Sequence, residues 1–340
     1  MKLNGRRLTA PILAILIVLS ALALIFGVVM GSTGLKLSEL SLLFSPSTEP
    51  SAVILRSVRL PRTILSYLVG GGLAVAGCCL QGVFKNPMAD SHILGVSSGA
   101  GFGAAVAMTM GAGAGLSLYG LGGIAAFAFA GGLLCVMLVF FASRVKSRIS
   151  TTSLLLAGIA LSSLFSALTS AIMILNRGRL DNIFMWLLGS FSSASYSKVL
   201  FAAVSILPVS AGLMLFSRPL NVMLLGEEEA RMLGVDYSRH LRIIILLATV
   251  LAASCVAVSG VVGFVGLIIP HMIRLAAGPD HRTLLPCSFL GGGVFLCVMD
   301  TLSRCLFPPI ELPVGVLCAI CGVPFFLFIM KRYAKGGLDG

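Results

Sequence analysis

The amino-acid sequence predicts an all-α integral membrane protein of about ten transmembrane helices, with residues 1–340 forming a single transmembrane domain. Three observations carry this reading. Of the 340 residues, 58% are hydrophobic and 11% are Asp, Glu, Lys or Arg, where an ordinary soluble domain carries roughly 25% charge. Apolar segments recur along the whole chain, several of them near the length of about 20 residues that a spanning helix needs. The charged residues fall mostly into the short gaps between those segments.

The segments lie near residues 12–31, 63–82, 93–110, 117–142, 152–175, 197–216, 241–261, 264–276, 284–303 and 313–330. The first follows Lys2, Arg6 and Arg7 as a signal peptide would, but it exceeds the roughly 7–15 residues of a signal h-region and reads as a retained helix. The eighth is short, and Pro270 is expected to interrupt it; broken helices survive in a membrane only against protein or a water-filled cavity. If the N-terminus is cytoplasmic, ten spans return the C-terminus to the same side. Sixteen of the 24 Lys and Arg then lie inside, and eight outside: Lys36, Arg56, Arg59, Arg62, Arg177, Arg179, Lys198 and Arg304. That excess obeys the positive-inside rule, so the net charge of +12 marks topology rather than a nucleic-acid partner.

Small residues at four-residue spacing, Gly95, Gly99 and Gly103, then Gly111 and Gly115, let helix backbones approach closely. Eight of the nine Cys fall in apolar stretches and read as small packing residues; Cys318 and Cys321 form a CxxC without the βαβ context of a redox motif. Residues 73–87 and 251–270 share an apolar helix, Gly-Val-Phe or Gly-Phe-Val, and a Pro. Five spans separate the copies, so they predict an inverted internal repeat, with the pathway at the repeat interface.

The longest internal hydrophilic loop spans residues 218–240. In it Glu227, Glu228 and Glu229 enrich a first helical turn and Gly234 supplies a stop, which predicts a short exposed helix. Its apolar face would be Ala230, Met232 and Leu233, suited to a groove in another protein; an ordinary connecting loop is the alternative. On the fifth span Ser162, Ser166, Thr169 and Ser170 share a helical face. This stripe either wets a translocation path or bonds across helices and back to its own backbone. Outside, Arg56, Arg59 and Arg62 precede span two and Arg304 ends span nine, one turn after Asp300. Basic clusters on that face either receive an acidic partner or snorkel at helix ends.

Several motifs carry no chemistry here. Gly95-Val-Ser-Ser-Gly99 has the spacing of a nucleophile elbow but lacks its strand-turn-helix context and its partner residues. His92, His240, His271 and His281 show no metal-site spacing, and no P-loop occurs.

The blocks Arg59-Leu-Pro-Arg-Thr63, Gly70-Gly-Gly-Leu-Ala-Val-Ala-Gly77, Gln81-Gly-Val-Phe-Lys-Asn-Pro-Met-Ala89 and Ile93-Leu-Gly-Val-Ser-Ser-Gly-Ala-Gly101 resemble the FecCD family. These are permeases of type II ATP-binding cassette (ABC) importers for iron siderophores, haem and cobalamin. The likeness returns at Gly263-Phe-Val-Gly-Leu-Ile-Ile-Pro-His-Met-Ile-Arg274, Asp280-His-Arg-Thr-Leu-Leu-Pro286 and Glu311-Leu-Pro-Val-Gly315. It implies a type II importer bundle in the cell membrane, both termini cytoplasmic, paired with a second permease copy as a homodimer or close heterodimer. Two cytoplasmic ABC ATPase subunits and an extracytoplasmic substrate-binding protein complete the assembly. ATP and Mg are then bound by the partner ATPase, with no cofactor, metal or catalytic residue on this chain. By resemblance the coupling helix matches Gly226, Glu227, Glu228, Glu229, Ala230, Arg231, Leu233 and Gly234. Docking of the binding protein matches Arg59, Arg62 and Arg304, and the pathway draws on Ser162, Ser166, Thr169 and Ser170.

An ion-coupled secondary transporter is the alternative, but it would usually show ionisable residues in mid-membrane, and few carboxylates enter these spans. A membrane-embedded enzyme is weaker still.

Overall fold

The computed structural model describes residues 5–31, 41–42, 49–111, 122–145, 148–149 and 151–336. Gly115, Lys2, Lys36, Lys146 and the start of the segment expected at 117–142 lie outside the described residues. The described residues are helical almost throughout. In order come α1 (Gly5–Val29), α2 (Pro50–Ile54), α3 (Leu60–Phe84), α4 (Val96–Thr109), α5 (Gly123–Ala142), α6 (Thr151–Leu175) and α7 (Leu180–Leu187). Then follow α8 (Tyr196–Leu215), α9 (Ser217–Met223), α10 (Glu227–Met232), α11 (Tyr237–Ser259), α12 (Val265–Ala277), α13 (His281–Cys305) and α14 (Val314–Gly336).

Seven of these helices are long and apolar enough to cross a membrane, and α4, α12 and the apolar part of α14 are shorter. The all-helical expectation omitted one small element, a hairpin between α5 and α6 in which Arg144–Val145 pairs antiparallel with Arg148–Ile149. It also omitted α7, an eight-residue helix between the fifth and sixth apolar segments.

Starts and stops follow local chemistry. Ser195, Asp236 and Asp280 cap α8, α11 and α13, each side chain accepting a first-turn backbone N–H. Before α3 the helix does not stop. A single π-helical turn, Leu55–Arg59, joins α2 to α3, so helical backbone runs from Pro50 to Phe84. Arg56, Arg59 and Arg62 therefore lie on this helix rather than in a loop ahead of it.

The core is built around α3, which is buried along nearly its whole length, and α13 and α11 pack on it. The α3–α13 contact is nearly backbone to backbone. A Cβ on Gly70 would fall 2.2 Å from the Gly292 carbonyl oxygen, and one on Gly292 would fall 2.3 Å from that of Gly70. Gly77 meets Gly266 of α12 in the same way, at 2.1 Å, so the two segments of the expected repeat touch here.

Pro270 does not interrupt α12, contrary to the expectation, and the reason is local. Proline cannot donate to the carbonyl four residues back, which leaves the Gly266 oxygen without its helical partner. The Gln81 side chain of α3 supplies the missing donor, its Nε2 bonding Gly266 O at 2.9 Å. Neighbouring groups that restore a lost backbone bond are what make proline tolerable in a membrane helix.

All nine cysteines are free. Seven are buried as packing residues, but Cys321 is exposed while Cys318 is buried, so the CxxC does not act as one packed unit.

Candidate transport and coupling sites

The expected site residues separate into three places. The first is the end of the bundle where α1 finishes and α3 starts. Arg59, Arg62 and Arg304 are 3%, 4% and 4% exposed, which corrects the expectation of a cationic surface open to an acidic partner. Arg62 reaches Asp300, fully buried on α13, through Nε at 3.1 Å to both carboxylate oxygens and through Nη2 at 3.0 Å to Oδ1. Its Nη1 donates to Glu311 Oε2 at 2.8 Å. Arg304 approaches Asp300 Oδ2 at 3.4 Å and donates to the Gly27 carbonyl at 3.0 Å. Arg59 donates to the carbonyls of Val28 and Val29. Charges buried this deeply persist only when paired and hydrogen-bonded, and here they tie the end of α1 to α3 and α13. Within this group only Glu311, with 38% of its side chain exposed, meets solvent.

Glu311 also lines a cavity of about 870 Å³ at the same end, together with Arg179, Asn182, Trp186, Ser193 and Lys198. Lys198 Nζ donates to Ser193 Oγ at 2.7 Å. Sequence reasoning passed over Asp300 as a helix-end residue and Glu311 as part of a motif. Only spatial proximity to Arg62, 238 and 249 residues away, gives them their role.

The second place is α6. Ser162, Ser166, Thr169 and Ser170 do not form one open stripe. Thr169 is buried and bonds its own helix at Phe165 O, 2.8 Å, and Ser170 bonds Ser166 O at 3.0 Å. Ser162 Oγ is buried against Gly95 with no hydrogen-bond partner among the described residues. Ser166 is exposed and its hydroxyl lies 3.5 Å from that of Ser98 on α4. Around them α6 presents Leu156, Ile159, Leu164 and Leu168 to the outside. A face this apolar needs lipid or a protein partner to cover it.

The third place is α10. Gly226, at φ 142°, opens it, and Gly234, at φ 79°, closes it with the paired hydrogen bonds of a Schellman cap, Val235 N to Ala230 O at 2.8 Å and Gly234 N to Arg231 O at 3.0 Å. Glu227, Glu228 and Glu229 fill the first turn, and Arg231 bonds Glu227 at 2.6 Å. The expected apolar face is divided. Ala230 is fully buried and roots the helix, whereas Met232 and Leu233 are 80% and 61% exposed.

Just before it, Asn221 of α9 meets the α12–α13 elbow, its Nδ2 donating to Asp280 Oδ1 at 2.6 Å. Burial works to raise the Asp280 carboxyl. The Arg282 N–H, the Asn221 amide and the charges of Arg282 and His281 outweigh it, holding the group below its ordinary value.

The comparisons agree with one another. The model of the FecCD transport family matches residues 15–332. The hemin transport system permease protein HmuU of Yersinia pestis is 38% identical over 333 residues, covering 97% of this chain and 98% of its own. The cobalamin import system permease protein BtuC of Halobacterium salinarum is 40% identical over 284 residues, 83% of this chain and 74% of its own. A solved inward-facing structure, described as an ABC transporter of the metal-chelate type, superposes with a TM-score of 0.83 at 35% identity, covering 95% of this chain and 99% of that one. Fold, length and sequence thus converge: the chain belongs to the FecCD transport family, as a multi-pass membrane permease subunit of an ABC importer.

Proposed function

We propose that the chain forms half of a translocation unit for a metal chelate, with two cytoplasmic ATPase subunits that bind ATP and Mg and an extracytoplasmic binding protein that delivers the substrate. Relatives named for hemin and cobalamin support a large chelate, and a ferric siderophore belongs to the same class. Both termini are then cytoplasmic, with α10 inside and the Arg62–Asp300 cluster outside. The open apolar face of α6 suits a second copy of the chain, which would place Ser166 near the pathway.

The observation that carries this reading is α10. A six-residue helix, capped at its C-terminal end and rooted by buried Ala230, with Met232 and Leu233 held out to solvent, is built to fill a groove in a partner. Co-purification in detergent with the ATPase encoded beside the gene tests it. The intact chain should retain the ATPase, and a chain lacking residues 227–233 should lose it. An intact chain that never retains the ATPase would sink the assignment.

The docking role of the arginines takes a revised form. Of the two carboxylates on Arg62, Asp300 is buried and Glu311 is half exposed, so an acidic residue of the binding protein meets Arg62 by displacing Glu311. Glu311→Gln should then tighten binding-protein affinity several-fold at low salt, since a weaker internal competitor is easier to displace. Surface plasmon resonance on the purified permease reads this, and an affinity that is unchanged or lower would remove Arg62 from the docking surface.

A further inference from the structure

The short helix α9 leads into α10 through only Leu224, Leu225 and Gly226. It is fixed to the body of the protein by buried Leu220 and Met223 and by the side chain of Asn221. That side chain uses both ends of its amide. Oδ1 accepts the backbone N–H of His281 at 3.0 Å and lies 2.8 Å from His281 Nδ1, while Nδ2 donates to Asp280 Oδ1 at 2.6 Å. Asp280 Oδ1 also accepts the Arg282 N–H at 3.0 Å, capping α13. A carboxylate only accepts and a backbone N–H only donates, so the amide has one orientation that satisfies both.

The elbow so gripped is itself seated on α3. A Cβ at Gly82 would lie 2.8 Å from His281 Nε2 and 3.3 Å from Leu220 Cδ2. One residue earlier on α3, Gln81 accepts Arg274 Nη2 of α12 at 2.9 Å. The base of α10, the end of α3 and the α12–α13 elbow therefore meet at one polar junction. From it α13 runs unbroken to Asp300 and Arg304.

We propose that Asn221 is the positioning residue that couples α10 to α13, so that a displacement of α10 by its partner is delivered to the elbow at Asp280–His281 rather than absorbed in the loop. This rests on the reading of α10 as the ATPase-docking element. A cap that serves only stability would not set how much transport each hydrolysed ATP yields, whereas a coupling contact would.

The test uses the importer assembled with its ATPase and binding protein in proteoliposomes, measuring ATP hydrolysis and uptake in parallel. Radiolabelled haemin, cobalamin and a ferric siderophore are offered, and the one carried by the unaltered importer is kept as the probe. Asn221→Ala should leave ATPase association and hydrolysis within about twofold while uptake per ATP falls at least tenfold. Asn221→Asp should do the same, because it sets two carboxylates face to face. Combining Asn221→Asp with Asp280→Asn exchanges donor and acceptor once the amide at residue 280 turns about its last side-chain bond, its NH2 toward residue 221 and its oxygen toward the Arg282 N–H that Oδ1 accepts in the parent; asparagine is a good helix cap, and the pair should restore the ratio. Where Asn221→Ala does not assemble, Asn221→Ser is the comparison, and the exchange pair still reads the contact. An unchanged ratio in the single variants overturns the proposal, as does a fallen ratio that the exchange does not restore. Failure of the unaltered chain to bind the ATPase is a different result, and overturns the reading of α10 instead.

Discussion

Asp300→Ala is expected to destabilise the permease by about 3–5 kcal/mol, enough to lower its thermal transition in detergent sharply or to abolish a monodisperse preparation. The carboxylate is fully buried between Arg62 and Arg304, and deleting it leaves Arg304 buried without a carboxylate and Arg62 with only the partly exposed Glu311. Most of that cost is the stranded charge rather than the lost attraction. Replacing Arg62 and Asp300 together with Met and Leu should therefore cost less than the sum of the two single changes. A single-variant loss below about 1 kcal/mol would show that the pair is screened as a surface ion pair would be.

Gly70→Ala should be nearly as damaging, although it adds one methyl group. The new Cβ would sit 2.2 Å from the backbone oxygen of Gly292, and a backbone atom cannot rotate aside. The helix axes must separate along the whole seam, at a cost of about 3 kcal/mol or more, the upper end of overpacking effects. Gly212→Ala in α8 is the matched control. Nothing lies within 4 Å of its added Cβ, so the gain in helix propensity, about 0.5–1 kcal/mol, should stand alone. Thermal unfolding of the two variants should move in opposite directions, and a Gly70→Ala protein as stable as the parent would mean that the seam is looser than it stands here.

The sequence made the helices legible because a bilayer solvent imposes one length and one composition on every span. It made α10 legible because acidic residues and a glycine mark helix ends. What stayed hidden depended on distant partners. Nothing local says that Gln81 replaces the donor lost at Pro270, that Asn221 clasps Asp280, or that Arg62 is closed in by Asp300. Residues 177–179 and α7 were hidden because the eight-residue helix is too short to stand out beside its apolar neighbours. The hydroxyls of α6 share a helical spacing, yet spacing does not reveal that Thr169 is turned inward while Ser166 faces out.

The glycine contacts between α3 and α13 bear on where this molecule is able to flex. Each helix has 25 residues, about 37 Å of rod, and backbones in direct contact leave no side-chain layer in which one could slide past the other. The two helices amount to a strut, with the arginine cluster at one tip and the Asn221 junction at the other, and a push on either tip reaches the far one without slack. If the proposed transport cycle opens and closes the bundle, that movement falls to helices outside the strut, α6 foremost, since little but its inner edge is held by the chain itself.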